Sequence, residues 1–115
     1  MKVIYIAGPF RADNAWAVEQ NIRKAESLGM AVAKMGHAYL CPHTNSRFFD
    51  GTITDKYWLE MTMELMRRCD AVLVAPEYQG SEGTEGEIVE AWNIGMSVFY
   101  NLGEVNTWLD AVEGQ

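Results

Sequence analysis

Two short apolar runs constrain this chain more than anything else in it: Val3-Ile4-Tyr5-Ile6-Ala7 near the start and Ala71-Val72-Leu73-Val74-Ala75 past the middle. Each has strand length, and neither alternates apolar with polar residues. A strand without a polar face is covered on both faces, which is the position of a central strand in a parallel sheet between two helical layers. Gly8-Pro9 ends the first run and Pro76 the second. Strands are therefore expected over residues 2–7 and 70–76.

The segments around them carry helical spacing. Val18, Ile22, Ala25, Gly29 and Val32 recur three or four residues apart and mark one apolar helix face. Asp13 or Asn14 can cap its start, and Gly36 suits the left-handed position just past its end. A short strand follows at 37–41, stopped by Pro42. Residues 42–54 form a connection longer than the usual loop of about 2–6 residues. Thr54 can cap a helix at 55–68. Beyond the second apolar run, Gly80, Gly83 and Gly86 mark a turn, followed by a helix from about 85 to 95 and a strand at 96–100. Val105, Leu109 and Val112 give a last amphipathic segment.

This order predicts an α/β three-layer sandwich over a single domain, residues 1–115. Right-handed crossovers give a parallel flavodoxin-like sheet in the order 2-1-3-4, with room for a fifth strand at an edge. Such sheets bind ligands beyond the carboxyl ends of their strands, where the strand order reverses. Loops 8–13, 42–54 and 76–86 reach that edge.

Composition narrows the ligand. The 115 residues carry a net charge of -7, which repels phosphate backbones and anionic membranes. Double-stranded nucleic acid and membranes are therefore not expected partners, and a small anion needs a local cluster of donors. Cys41 and Cys69 stand at no metal-ligand or redox-motif spacing, so two reduced thiols and no metal are expected. The first apolar run is too short for a signal peptide, and no stretch approaches the roughly 20 residues of a membrane span. A cytoplasmic protein is expected.

No Walker phosphate loop, GxGxxG, HExxH or GxSxG occurs. What remains is Ser81-x-Gly83-Thr84-x-x-Glu87, after a buried strand and opening a helix. A helix start offers free backbone N–H groups and a positive dipole end, Gly83 admits a close ligand, and Ser81 and Thr84 add hydroxyls. The plainer reading is a capping box, with Glu87 reaching back to Thr84. Plainer readings also hold for Tyr5 as core, Arg11 as a solvated cation, His43 as a loop residue, and Trp16, Trp58, Trp92 and Trp108 as packing residues.

Taken together, these residues say more. Tyr5-Ile6-Ala7-Gly8-Pro9-Phe10-Arg11, then Asp70-Ala-Val-Leu-Val-Ala and Ser81-x-Gly83-Thr84-x-x-Glu87, resemble the signatures of the nucleoside 2-deoxyribosyltransferase superfamily. The nearest resemblance is to its deoxynucleoside 5′-monophosphate N-hydrolases and to short phage or prophage members of unassigned function. It runs from Lys2 to about Tyr100. It implies Glu87 as nucleophile with Tyr5 assisting, and Gly8, Pro9, Phe10, Arg11, Ser81, Gly83 and Thr84 around the substrate. Arg11 and Ser81 would take the 5′-phosphate. The superfamily carries a second carboxylate eight residues before the Asp of the third strand, and here that position is Thr62. Glu60 and Glu64 point to the other helix side, while Asp50 or Asp55 could approach from another direction.

The implied chemistry is cleavage or transfer of an N-glycosidic bond through a glycosyl-enzyme, on a nucleotide or nucleoside and without a cofactor. The start of the helix is expected to help keep Glu87 ionised. Arg11 and Ser81 favour hydrolysis of a nucleotide over transfer. A non-catalytic nucleotide or nucleotide-signal binder keeps the same cradle without the acid at position 62. An FMN module rests on fold alone, and its phosphate loop would follow the first strand. The resemblance also implies a homodimer or higher homo-oligomer, as does the aromatic surface of Trp92, Phe99, Tyr100 and Trp108.

Overall fold

The computed structural model describes residues 1–45, 49 and 51–113. Its four strands are β1 (Val3–Ala7), β2 (Ala38–Leu40), β3 (Ala71–Val74) and β4 (Ser97–Phe99). They form one parallel sheet in the order β2-β1-β3-β4. This is the α/β flavodoxin-like arrangement the sequence implies, and four strands make up the sheet among the described residues. The helices are α1 (Ala15–Lys34), α2 (Pro42–Asn45), α3 (Asp55–Arg67), α4 (Glu82–Asn93) and α5 (Leu102–Glu113).

Side chains of the central strands alternate between two cores. Ile4, Ile6 and Leu73 meet Ala25 and Val32 of α1 and Val105 and Leu109 of α5. Tyr5, Ala7, Val72 and Val74 meet Met66 of α3 and Ile88 and Ala91 of α4. The period of two in a strand explains the split, and both faces of β1 and β3 are closed by helices. Arg67 of α3 donates to Glu90 of α4 over 2.8 Å and ties the second layer together.

Local signals act where the sequence puts them in two helices. Asn14 caps α1 by accepting from Ala17 N, and Thr54 caps α3 by accepting from Tyr57 N. Gly36 has a φ of 85°, the left-handed conformation that ends α1. Four features differ. Pro42 opens a short helix, α2, inside the long connection. The helix expected from residue 85 begins at Glu82, because Ser81 takes the Thr84 N–H and becomes the cap. Phe99 and Trp108, expected as surface, pack together at 5.4 Å against the α1–α5 core, whereas Trp92 is exposed. Trp16 is exposed as well, rather than packed.

Candidate functional site

The order of strands reverses between β1 and β3, so the crevice of this sheet opens where those two strands end. Their backbones converge there. A Cβ on Gly8 would stand 2.8 Å from the Ala75 Cβ, so only glycine fits at this point. Beyond Gly8 the chain is pinned at three places. His43 in α2 donates from Nε2 to the Pro9 carbonyl at 2.9 Å, and its ring meets Phe10 edge-on at 5.6 Å. Asn21 of α1 donates to the Phe10 carbonyl over 3.2 Å. Arg11 reaches across to α3 and pairs with Asp55 at 2.7 Å, both groups largely in solvent.

Tyr5 and Glu87 meet beneath this loop on the α3–α4 side of the sheet. Tyr5 is fully buried, and burial together with the nearby Glu87 carboxylate raises its pKa well above the usual phenol value. It is a neutral donor at physiological pH. Burial also raises the pKa of Glu87, to about 7, and the Tyr5 hydroxyl offsets part of that rise. The two groups interact, yet no bond of ordinary hydrogen-bond geometry joins them: the Tyr5 hydroxyl and Glu87 Oε2 are both buried without a partner. The Thr62 hydroxyl acts on Tyr5 from α3 and donates to its own helix at Leu59 O, 3.1 Å away.

Glu87 is therefore no part of a capping box. It lies in the second turn of α4, six positions from the Ser81 cap. Dipole stabilisation fades beyond the first turn, so burial decides its pKa and the expected ionising effect of the helix start is overridden.

The start of α4 is built from the residues singled out in the sequence. Ser81 Oγ and Thr84 Oγ1 bond each other at 2.9 Å, and Thr84 is buried. The Glu85 carboxylate accepts from Gly80 N at 3.1 Å. With Ser81 N given to the Tyr78 carbonyl and Thr84 N to Ser81, the first-turn amides of Glu82 and Gly83 lack an intrahelical acceptor. Gly83 faces Leu59 of α3, whose Cδ2 would lie 4.0 Å from an added Cβ. Two helix beginnings thus converge over the Tyr5–Glu87 pair.

The other acidic candidates point elsewhere. Glu64 binds Arg68 at 2.9 Å and Glu60 approaches Lys56 at 3.7 Å, all on the solvent side of α3. Asp55 holds Arg11, and Asp50 lies outside the described residues. Among the described residues no group of three or more His, Cys, Asp or Glu side chains is placed to hold a metal ion. Cys69 beside the site is a protonated thiol, raised to about 11 by burial.

Two concavities lie outside this cluster. One of about 90 Å³ opens on the α1 side of the crevice between Pro9, Asn21, Lys24, Ala75, Pro76 and Glu77, where Lys24 and Glu77 pair at 3.3 Å. The other, about 450 Å³ and open to solvent, runs along α1 beside Glu19, Arg23, Glu26 and Ser27. Neither concavity is lined by Tyr5 or Glu87 among the described residues, so the Tyr5–Glu87 pair is marked as a candidate by its buried, unpartnered polar atoms and not by an open cavity.

Two residues here escaped the sequence reading. His43 is buried rather than a loop residue, with its pKa lowered by burial and Nδ1 unpartnered. Trp58 buries an indole N–H without an acceptor. For His43 the signal was its place directly after β2, at the carboxyl edge of the sheet.

Comparison with known proteins follows the fold. A 2-deoxyribosyltransferase from the psychrotolerant bacterium Bacillus psychrosaccharolyticus superposes with a TM-score of 0.61 at 19% identity, over 84% of this chain and 69% of that one. No curated protein matches the sequence. No helix among the described residues is long and apolar enough to cross a membrane. A sequence family described as a domain of unknown function (DUF7768) matches residues 2–101, the whole sheet and helices α1 to α4, and the chain belongs to that family.

Proposed function

We propose that this protein binds a nucleotide or nucleoside between the starts of α3 and α4 and cleaves or transfers its N-glycosidic bond, with Glu87 as nucleophile. The observation that carries the reading is the Tyr5–Glu87 pair: a carboxylate and a phenol, buried together, each with an atom left without a partner. Buried polar groups are satisfied as a rule, and the exceptions gather where a ligand completes them. The likeness in fold to a 2-deoxyribosyltransferase supports the same chemistry.

Glu87 ionises near neutrality, at about 7. Its carboxylate attacks the anomeric carbon, the bond to the base breaks, and the bonding electrons leave with the base. The Tyr5 hydroxyl steers the carboxylate. Water then releases the sugar, or a second base takes it. Arg11, Ser81 and the amides of Glu82 and Gly83 serve a 5′-phosphate, Arg11 exchanging Asp55 for the ligand. These donors favour hydrolysis of a monophosphate over transfer between bare nucleosides. A second reading, a non-catalytic nucleotide binder, is favoured by one observation: Thr62, at the position of the second carboxylate, offers no acidic proton.

The test is incubation with each deoxynucleoside 5′-monophosphate and each bare nucleoside, measuring free base and, by calorimetry, binding. Base release that Glu87→Gln lowers by about 10⁴-fold or more supports the glycosidase. Binding without release supports the binder. Unchanged release by Glu87→Gln overturns the mechanism. Arg11→Ala should weaken monophosphate binding about tenfold to a hundredfold, the size of one charge-assisted contact, and leave bare nucleosides unaffected.

A further inference from the structure

The second carboxylate is missing at position 62, and the reaction still needs something to receive the electrons that leave with the base. Four buried side-chain atoms lack a hydrogen-bond partner among the described residues: Tyr5 OH, His43 Nδ1, Trp58 Nε1 and Glu87 Oε2. Tyr5 and Glu87 belong to the site already described, and His43 works from the far side of the loop through Pro9. Trp58 is different. It lies on α3 four residues before Thr62, hence on the same helix face, and Thr62 acts on Tyr5. Leu59, its neighbour, faces Gly83 at the start of α4. Trp58 therefore stands on the α3 wall of the Tyr5–Glu87 site, one turn nearer the opening than Thr62.

The indole is held in place. Its ring packs between Tyr57, edge-on at 5.1 Å, and Phe49 at 6.0 Å. A buried indole N–H ordinarily finds an acceptor, and the indole is a donor only. Its complement is an acceptor atom on the ligand. In a nucleotide whose anomeric carbon meets Glu87, the part of the ligand beyond the sugar is the base, which carries ring-nitrogen and carbonyl acceptors.

We infer that Trp58 Nε1–H donates to an acceptor atom of the leaving base and selects ligands that carry one. This rests on the glycosidase reading above. The indole keeps its proton throughout. As the C–N bond breaks, negative charge gathers on the base, the hydrogen bond to Trp58 strengthens, and water supplies the proton that the free base finally carries. A fixed donor aimed at developing charge thus stands in for the missing acid.

The experiment uses the whole chain and five probes: the four deoxynucleoside 5′-monophosphates and deoxyribose 5-phosphate, which lacks the base. Calorimetry on Trp58→Phe should show binding of a monophosphate weakened about tenfold, with deoxyribose 5-phosphate unchanged. In the unmutated protein, the Trp58 indole N–H resonance, assigned through its own backbone, should move downfield on saturation with the monophosphate and stay still with deoxyribose 5-phosphate. Equal losses for both ligands, or none for either, overturn the inference, as does an unmoved indole resonance if Trp58→Phe fails to fold. Failure of the unmutated protein to bind any probe overturns the proposed function and this inference with it. Binding by the unmutated protein without a Trp58 effect overturns this inference alone.

Discussion

Glu87 illustrates how burial sets the chemistry of a single side chain. In the unfolded chain its carboxyl ionises near 4.5, the ordinary value, and in the folded protein near 7. Between those values the folded state holds a proton that the unfolded state has lost, so stability falls as pH rises from about 4.5 to 7 and stays lower above. Glu87→Gln removes this penalty. The variant should be more stable than the parent by up to roughly 3 kcal/mol at pH 8 and nearly equal to it at pH 4, which thermal unfolding at the two pH values reads directly. The proposed reaction runs the opposite way, since it needs Glu87 ionised: on that reading base release by the parent protein should climb through pH 7. A carboxylate kept at this cost to stability is in keeping with a functional group rather than a structural one.

Among the elements, the junction of β1 and β3 carries the narrowest tolerance. Gly8 faces the Ala75 Cβ at a separation no real Cβ accepts, and neither group sits at the end of a flexible side chain. Gly8→Ala should force the two strand ends apart and cost about 1–3 kcal/mol in denaturant unfolding. Adding Ala75→Gly removes the opposing methyl group and should recover most of the loss, a coupling that a double-mutant cycle measures. The start of α4 shows a different balance. Thr84 and Glu87 have the spacing of a capping box, but Ser81 caps the helix three residues earlier. This frees Glu87 to turn inward, where Ile88 and Ala91 already anchor the same helix against Tyr5. The local spacing pointed to Thr84 as the cap, and in the folded helix Ser81 takes that place.

At the scale of the whole molecule, one face stays unfinished. Tyr57 and Leu59 of α3 and Val89 and Trp92 of α4 are exposed on the helical layer that covers the candidate site. Apolar groups gathered on one layer suit a protein interface. We expect a homodimer or larger assembly in sedimentation at micromolar concentration, with Trp92→Glu shifting it toward monomer; a monomeric parent protein would refute this. Much of the molecule was legible in the sequence. Unbroken apolar runs at Val3–Ala7 and Ala71–Val74 can only be buried on both faces, and with helices between them a parallel order 2-1-3-4 follows from chain handedness. Asn14, Thr54 and Gly36 act through neighbours within a few residues, so their roles were readable too. The rest depended on partners far apart in the chain. That Arg11 meets Asp55, that His43 holds Pro9, and that Thr62 and Glu87 meet Tyr5 are consequences of how α2, α3 and α4 dock on the sheet. Sequence determined which residues would be buried in strands and where α1 and α3 begin, because those are local matters of hydrophobic period and backbone preference. Only the tertiary structure decided which carboxylate lost its water, because desolvation comes from the neighbours that packing brings and not from neighbours along the chain.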